Sequence, residues 1–112
     1  RKTKEIKLIN CFENYQSTKI ELENIQAKVI GFFPLTLKEL KLANCTNTRF
    51  DVSTPWWKTL HEIELYGCEN ITSLPDFFNF IPIVKITSCH GLEDVRALQD
   101  NERVELRFNE QL

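Results

Sequence analysis

Four cysteines and two histidines are the side chains of this 112-residue chain best suited to metal binding or nucleophilic catalysis. They are Cys11, Cys45, Cys68, Cys89, His61 and His90. A zinc site built from thiolates usually contains a Cys-x-x-Cys pair, and this chain has none. The sequence therefore predicts no metal and no cofactor.

Catalysis by a thiol needs a histidine as base and a third group that orients the histidine. His90 follows Cys89 directly, but consecutive side chains of an extended strand point in opposite directions. His61 lies in a predicted outward position, and no orienting group accompanies either histidine. The three glycines stand alone, so the chain has no glycine-rich loop for a phosphate. We therefore expect a protein that is not an enzyme and has no small-molecule substrate.

The cysteines instead mark a repeat, because each one ends a segment with the same apolar pattern. The clearest copy is Leu37-Lys-Glu-Leu40-Lys-Leu42-Ala-Asn-Cys45, and the shared frame is L-x-x-L-x-L-x-x-[C/N]. The other copies begin at Thr3, Leu60, Ile81 and Asn101, and the last one ends in Asn109 instead of cysteine. The final residues of successive copies are 34, 23, 21 and 20 positions apart. Only the first interval exceeds the length of an ordinary repeat unit.

The long first interval contains a further match to the frame. Ser17-Thr-Lys-Ile20-Glu-Leu22-Glu-Asn-Ile25 fits it with isoleucine at the cysteine position, and divides the interval into 14 and 20 residues. A span of 14 residues is short for a repeat. Residues 12–34 therefore contain either a degenerate repeat, which we favour, or a strand inside an insertion.

Alternating leucines predict short strands with one buried face and one exposed face. Leu40 and Leu42 are expected to point inward and Lys41 outward. Strands this short must stack on their neighbours to bury a shared core. Residues 1–112 are thus predicted to form a single domain, a right-handed α/β solenoid whose parallel sheet has about five strands. Pro75 and Pro82 favour mostly irregular segments between the strands.

The aromatic residues of those connecting segments are predicted to pack behind the sheet. Trp56 and Trp57 precede one copy of the frame, and residues 76–80 and 31–34 contribute phenylalanines. An exposed aromatic patch at the tryptophan pair is the alternative.

The repeated frame resembles the leucine-rich repeat throughout, and residues 35–98 resemble one branch of that family. Cys68-Glu-Asn-Ile71-Thr-Ser-Leu74-Pro75, Pro55-Trp56 before a strand and Gly91-Leu-Glu-Asp-Val95 are similar to the C-terminal repeats of plant NLR immune receptors. The resemblance implies a protein-binding module, the recognition or regulatory region of an intracellular immune receptor and part of a longer chain. The alternatives are a substrate-receptor or scaffold subunit of a ubiquitin ligase, or a microbial effector that binds a host protein.

Charge and composition restrict the class of partner. The chain carries 14 basic and 16 acidic residues, for a formal net charge of −2. Proteins that bind nucleic acid usually concentrate a basic excess on one face. The longest apolar run, residues 77–84, is interrupted by Asn79 and Pro82 and is too short to span a membrane. We therefore expect a protein partner, and neither nucleic acid nor a membrane.

The position of the cysteines favours a cytoplasmic location. Their recurrence at one point of the frame predicts a ladder of buried thiols, and cysteines stacked in parallel rarely reach the disulfide dihedral angle. Reduced thiols are typical of the cytosol.

The frame also predicts which residues face a partner. Outward columns run from Glu5 to Arg103, from Lys7 to Glu105 and from Ile9 to Arg107, across a concave face. Tyr66 is the expected anchor, with Ile83 as its apolar neighbour, because exposed tyrosines often dominate binding energies. The predicted binding residues are Lys41, Glu62, Glu64, Tyr66, Ile83, Lys85, Arg103 and Arg107. Residues 109–112 are a candidate polar cap.

Overall fold

The main element of the fold is a five-stranded, all-parallel sheet. A computed structural model describes residues 4–5, 18–31, 33–46 and 49–108. The strands are β1 (Lys4–Glu5), β2 (Lys19–Glu23), β3 (Ile25–Gln26), β4 (Glu39–Ala43), β5 (Glu62–Tyr66), β6 (Ile83–Thr87) and β7 (Arg103–Arg107). The sheet has the order β2-β4-β5-β6-β7, whereas β1 and β3 form a separate parallel pair.

The register of the sheet pairs residues that occupy the same position of the sequence frame. Leu40 has Ile20 on one side and Ile63 on the other, and Ile63 is followed by Val84 and Val104. The predicted sheet of about five parallel strands is confirmed. The segment around Ile20 is one of the five strands. The sequence alone did not decide whether this segment was a degenerate repeat or a strand inside an insertion.

The start of the chain differs from the prediction. Glu5 was expected in the outward column that ends at Arg103, but it pairs with Gln26 in the two-stranded sheet. The rest of the first predicted copy, with Ile6, Leu8 and Cys11, lies outside the described residues, as does the candidate cap at 109–112.

The segments between the strands contain two short 3₁₀ helices, Trp56–Thr59 and Asp76–Phe80. Across the described residues there is no α-helix, so the helical half of the predicted α/β class is absent there. Both helices follow a proline, whose fixed φ and missing N–H suit the first turn of a helix.

The core lies between the inward strand residues and an aromatic layer behind them. The rings of Phe33 and Phe77 have their centroids 4.8 and 5.4 Å from that of Trp56. Trp56 is fully buried, and its Nε1–H donates to the carbonyl of Asp51 at 2.8 Å. Packing behind the sheet is thus confirmed for Trp56. Phe80 was predicted to plug the same layer, but 66% of its surface is exposed.

The strands β2, β4, β5 and β6 are each followed by a residue with left-handed backbone conformation. Asn24, Asn44, Gly67 and Ser88 have φ values of 56°, 55°, 66° and 56°. All four stand just before the cysteine position of the frame. Glycine and asparagine tolerate this conformation better than other residues. The turn lets the following residue enter the core, where Cys45, Cys68 and Cys89 are buried.

Candidate functional site

The outward side chains of the sheet form one continuous surface, here called the open face. It consists of the first, third and fifth residues of β2, β4, β5, β6 and β7. All eight predicted binding residues lie on it, as the strand registers show. The structure therefore places these eight side chains on one surface, whereas Glu5, which the frame also selected, lies in the two-stranded sheet.

The central column of the open face alternates in charge from strand to strand. Consecutive Cα partners in this column are Glu21, Lys41, Glu64, Lys85 and Glu105. Neighbouring strands lie about 4.8 Å apart, so each charge has opposite charges beside it. Opposite charges in directly facing positions stabilise a sheet modestly.

The ion pairs of the open face leave some of these charges without a close partner. Lys85 Nζ lies 3.3 Å from Glu62 Oε2, and both side chains are largely covered. Among the residues that the structure describes, neither Lys41 nor Glu64 makes an ion pair. Both are half-buried. These two groups are therefore free to pair with charges on another molecule.

Tyr66 and Ile83 lie at opposite ends of the open face, contrary to the expectation that they are neighbours. Tyr66 pairs with Ala43 and Thr87, whereas Ile83 pairs with Glu62 and Arg103. Four residues along a strand separate their positions by about 13 Å. The sequence frame already predicts this separation, because Ile83 occupies the first outward column and Tyr66 occupies the third. Tyr66 has 45% of its surface exposed.

A shallow depression lies at the β2 side of the open face. Besides three predicted binding residues, it is lined by the charged side chains of Lys19, Glu21 and Glu39, which were not among the predicted binding residues. Its volume is about 170 Å³. It is lined by Lys19, Glu21, Glu39, Leu40, Lys41, Glu62 and Glu64. The degenerate match at residue 17 would have predicted Lys19 and Glu21 had it been included in the columns.

The open face has opposite net charge at its two sides. On β2, β4 and β5 five carboxylates outnumber two lysines, which gives a net charge of −3. On β6 and β7 three cations face one carboxylate, which gives a net charge of +2. A partner that covers the whole face therefore needs a matching division of charge.

The three described cysteines form a ladder on the inner side of the strand ends. The backbone N–H of Cys68 donates to Cys89 Sγ at 3.3 Å, and Cys68 Sγ lies 3.5 Å from the carbonyl oxygen of Leu42. Side-chain contacts with Cys45 and Cys89, together with burial, raise the pKa of Cys68. A thiol held in its neutral form is a poor nucleophile at neutral pH.

Neither histidine joins this ladder. His61 and His90 are both exposed, and Cys89 beside His90 is buried. Within the described ranges, no group of three or more His, Cys, Asp or Glu residues is arranged to hold a metal ion. All three described cysteines are free thiols.

We expect Cys45, Cys68 and Cys89 to resist alkylation by iodoacetamide in the folded protein. Their reaction should be at least about 100-fold slower than in urea, because it requires opening of the core. Peptide mass spectrometry after timed quenching measures each rate. A cysteine introduced by Ser53→Cys, at an exposed position, is the internal control. Equal rates for Cys68 and the control would contradict the buried ladder.

A second concavity lies behind the sheet, with a volume of about 450 Å³. Phe80, Leu74 and the Asp94–Arg96 pair contribute to its lining. The Arg96 guanidinium lies 2.7 Å from Asp94 and lowers the pKa of that carboxyl to about 2 through hydrogen bonds. Both members of the pair are accessible to water, so their charges are screened.

Comparison of the chain with protein-family models, with curated proteins and with solved structures finds no match. In the described part of the chain, no helix is long and apolar enough to cross a membrane.

Proposed function

We propose that the chain is a protein-recognition module built from stacked leucine-rich repeats as a solenoid, and that the open face binds its protein partner. The observation that carries the proposal is the pairing of equivalent frame positions in five parallel strands. This pairing collects outward residues from distant parts of the sequence on one surface, as recognition by repeat proteins requires.

The side chains of the open face favour binding over a role in solubility alone. Tyr66 exposes a large aromatic surface at the end of β5, and tyrosine is enriched among the residues that dominate interfaces. Lys41 and Glu64 are already half-buried, so a partner can desolvate them at reduced cost. Solubility alone requires neither feature.

The resemblance of Cys68–Pro75 and Pro55-Trp56 to plant NLR repeats extends the proposal. On this basis the module is the recognition or regulatory region of an intracellular immune receptor, within a longer chain. Free thiols at three frame positions fit a cytoplasmic location. A substrate-receptor or scaffold role in ubiquitin ligation would use the same open face.

The test compares the proteins captured by wild type and by the triple variant Glu64→Arg/Tyr66→Ala/Lys85→Glu. The variant removes the exposed ring and reverses two charges at the centre of the open face. A partner bound there should lose at least about 30-fold in affinity, because removal of a dominant interface residue costs about 2 kcal/mol. Affinity capture with quantitative mass spectrometry identifies the partner, and titration then measures the loss.

The matched control is Lys28→Glu/Phe80→Ala/Glu93→Arg, which makes the same kinds of change at exposed positions outside the open face. All proteins are first compared by thermal unfolding so that differences in stability do not affect capture. Retention of the partner by the control and its loss from the open-face variant is the expected result. Equal loss from both variants, or from neither, would remove the open face as the binding surface.

A further inference from the structure

Strand β7 ends the sheet with a free edge. It pairs with β6 on one side, and within the described ranges no strand lies on its other side. The Arg103 N–H and the Arg107 carbonyl bond toward the β6 side, to Pro82 and Ser88. Because successive residues of a strand alternate in direction, Val104 and Leu106 direct their backbone groups outward. Such an edge is a template for an added strand.

The core is also uncovered at this edge. Val104 and Leu106 pair with Val84 and Ile86, which are fully buried. Yet 39% of the surface of each remains exposed, as does 42% of Phe108, which follows the strand. An added strand with apolar residues at the two matching positions would extend the core by one layer.

The backbone just before β7 is fixed in place by hydrogen bonds to the preceding turn. Asn101 Nδ2 donates to the carbonyl oxygens of Phe78 and Ile81, at 2.8 and 2.6 Å. These bonds fix the chain two residues before β7 begins. A preformed edge loses little entropy when a strand is added.

The charges of β7 define the sequence that would fit best. Arg103 Nε and Arg107 Nη2 lie 3.1 and 3.7 Å from the two oxygens of Glu105, so two cations share one carboxylate. Residues facing Arg103 and Arg107 should be acidic, and the residue facing Glu105 should be basic, because like charges in facing positions destabilise a sheet. The matching segment reads acidic–apolar–basic–apolar–acidic.

A second copy of this chain does not supply that pattern through its own terminal strand. In the register of the sheet, β2 of another copy would place Lys19 against Arg103 and Glu21 against Glu105. Two of its three facing charge pairs would be repulsive. Head-to-tail stacking of identical copies through β2 is therefore opposed by charge.

We propose that the free edge of β7 binds an extended segment of a partner protein as a sixth parallel strand, and that this segment alternates acidic, apolar, basic, apolar and acidic residues. The backbone and apolar contacts of this site do not involve Glu64 or Tyr66, but its charged residues Arg103, Glu105 and Arg107 form the β7 side of the open face. Backbone hydrogen bonds provide the binding energy, the apolar residues cover Val104 and Leu106, and the charges set the preference among sequences.

Fluorescence polarisation with synthetic peptides tests the proposal. The probe carries Glu-Ile-Lys-Leu-Glu between short glycine-serine flanks, and the control peptide carries Lys-Ile-Glu-Leu-Lys. The wild-type protein should bind the probe at least about tenfold more tightly than the control. The exposed charge-reversal variant Arg103→Glu/Arg107→Glu should invert this preference. Thermal unfolding verifies that the variant is folded.

Two further measurements distinguish strand addition from nonspecific attraction. N-methylation of the probe at its lysine and its second glutamate removes the N–H donors that face the carbonyls of Val104 and Leu106 in the parallel register, and should abolish binding. The double variant Glu64→Arg/Tyr66→Ala, which keeps Lys85 beside Glu105, should bind the probe like wild type. Equal affinity for the two peptides, or full binding of the methylated probe, would overturn the proposal. So would dimerisation, measured by sedimentation, that the probe reverses, because a second copy would then occupy the edge.

Discussion

Replacement of Trp56 by alanine is expected to lower the free energy of unfolding by about 3–5 kcal/mol. The side chain is fully buried, its ring contacts Phe33 and Phe77, and its Nε1–H satisfies the carbonyl of Asp51. The substitution leaves a cavity behind the sheet and removes the donor for that carbonyl. Urea denaturation followed by circular dichroism measures the change.

Trp57→Ala is the matched control for this experiment. Trp57 is only half-buried, and it stacks on Phe77 and Phe80 with centroid distances of 5.9 and 5.8 Å. Its Nε1 is buried without a hydrogen-bond partner among the described residues. Since its removal also removes that unsatisfied donor, we expect a clearly smaller loss of stability. A loss equal to that of Trp56→Ala would contradict the different burial of the two rings.

The second large effect is expected at Leu65, in the central strand of the sheet. Leu65 is fully buried and pairs with Leu42 and Ile86 on its two sides. Leu65→Ala should reduce the free energy of unfolding by about 2–5 kcal/mol, because neighbouring strands prevent the cavity from collapsing. Chemical denaturation with a two-state fit measures the loss.

The adjacent substitution Glu64→Ala tests the alternation of the strand. Glu64 lies on the open face, one residue from Leu65, and we expect its removal to change stability by no more than about 0.5 kcal/mol. Comparable losses at both positions would mean that the sheet buries both faces. A loss at Glu64 alone would mean that the register differs by one residue.

Most of the sheet is predictable from the sequence because its signal is local. The alternation of Leu40, Lys41 and Leu42 specifies a half-buried strand, and the recurrence of that alternation specifies its neighbours. By contrast, the pairing of Glu5 with Gln26 is a long-range contact between short segments. No periodic pattern marks such a contact, so the frame placed Glu5 in the wrong column.

The sequence predicts which residues belong to the candidate site, but not how exposed their side chains are or which charges they contact. The frame placed the eight predicted binding residues on the outward side of their strands correctly, since parity along a strand decides the face. The separation of Tyr66 from Ile83 also follows from column positions. The exposure of Phe80 and the shared carboxylate of Glu105 depend on how side chains pack around them. That packing depends on contacts between side chains that are distant in the sequence, and the spacing of residues does not predict it.

The alternating charges of the central column also affect which strands can associate while the chain folds. Strands that are neighbours in the sheet attract one another, but pairing that skips a strand would bring Lys41 against Lys85, or Glu64 against Glu105. Each such mismatch costs about 0.2–1 kcal/mol. The apolar residues of these strands are too similar to discriminate among partners by themselves. The charge pattern therefore favours stepwise assembly in chain order and disfavours compact intermediates from which one strand has been left out.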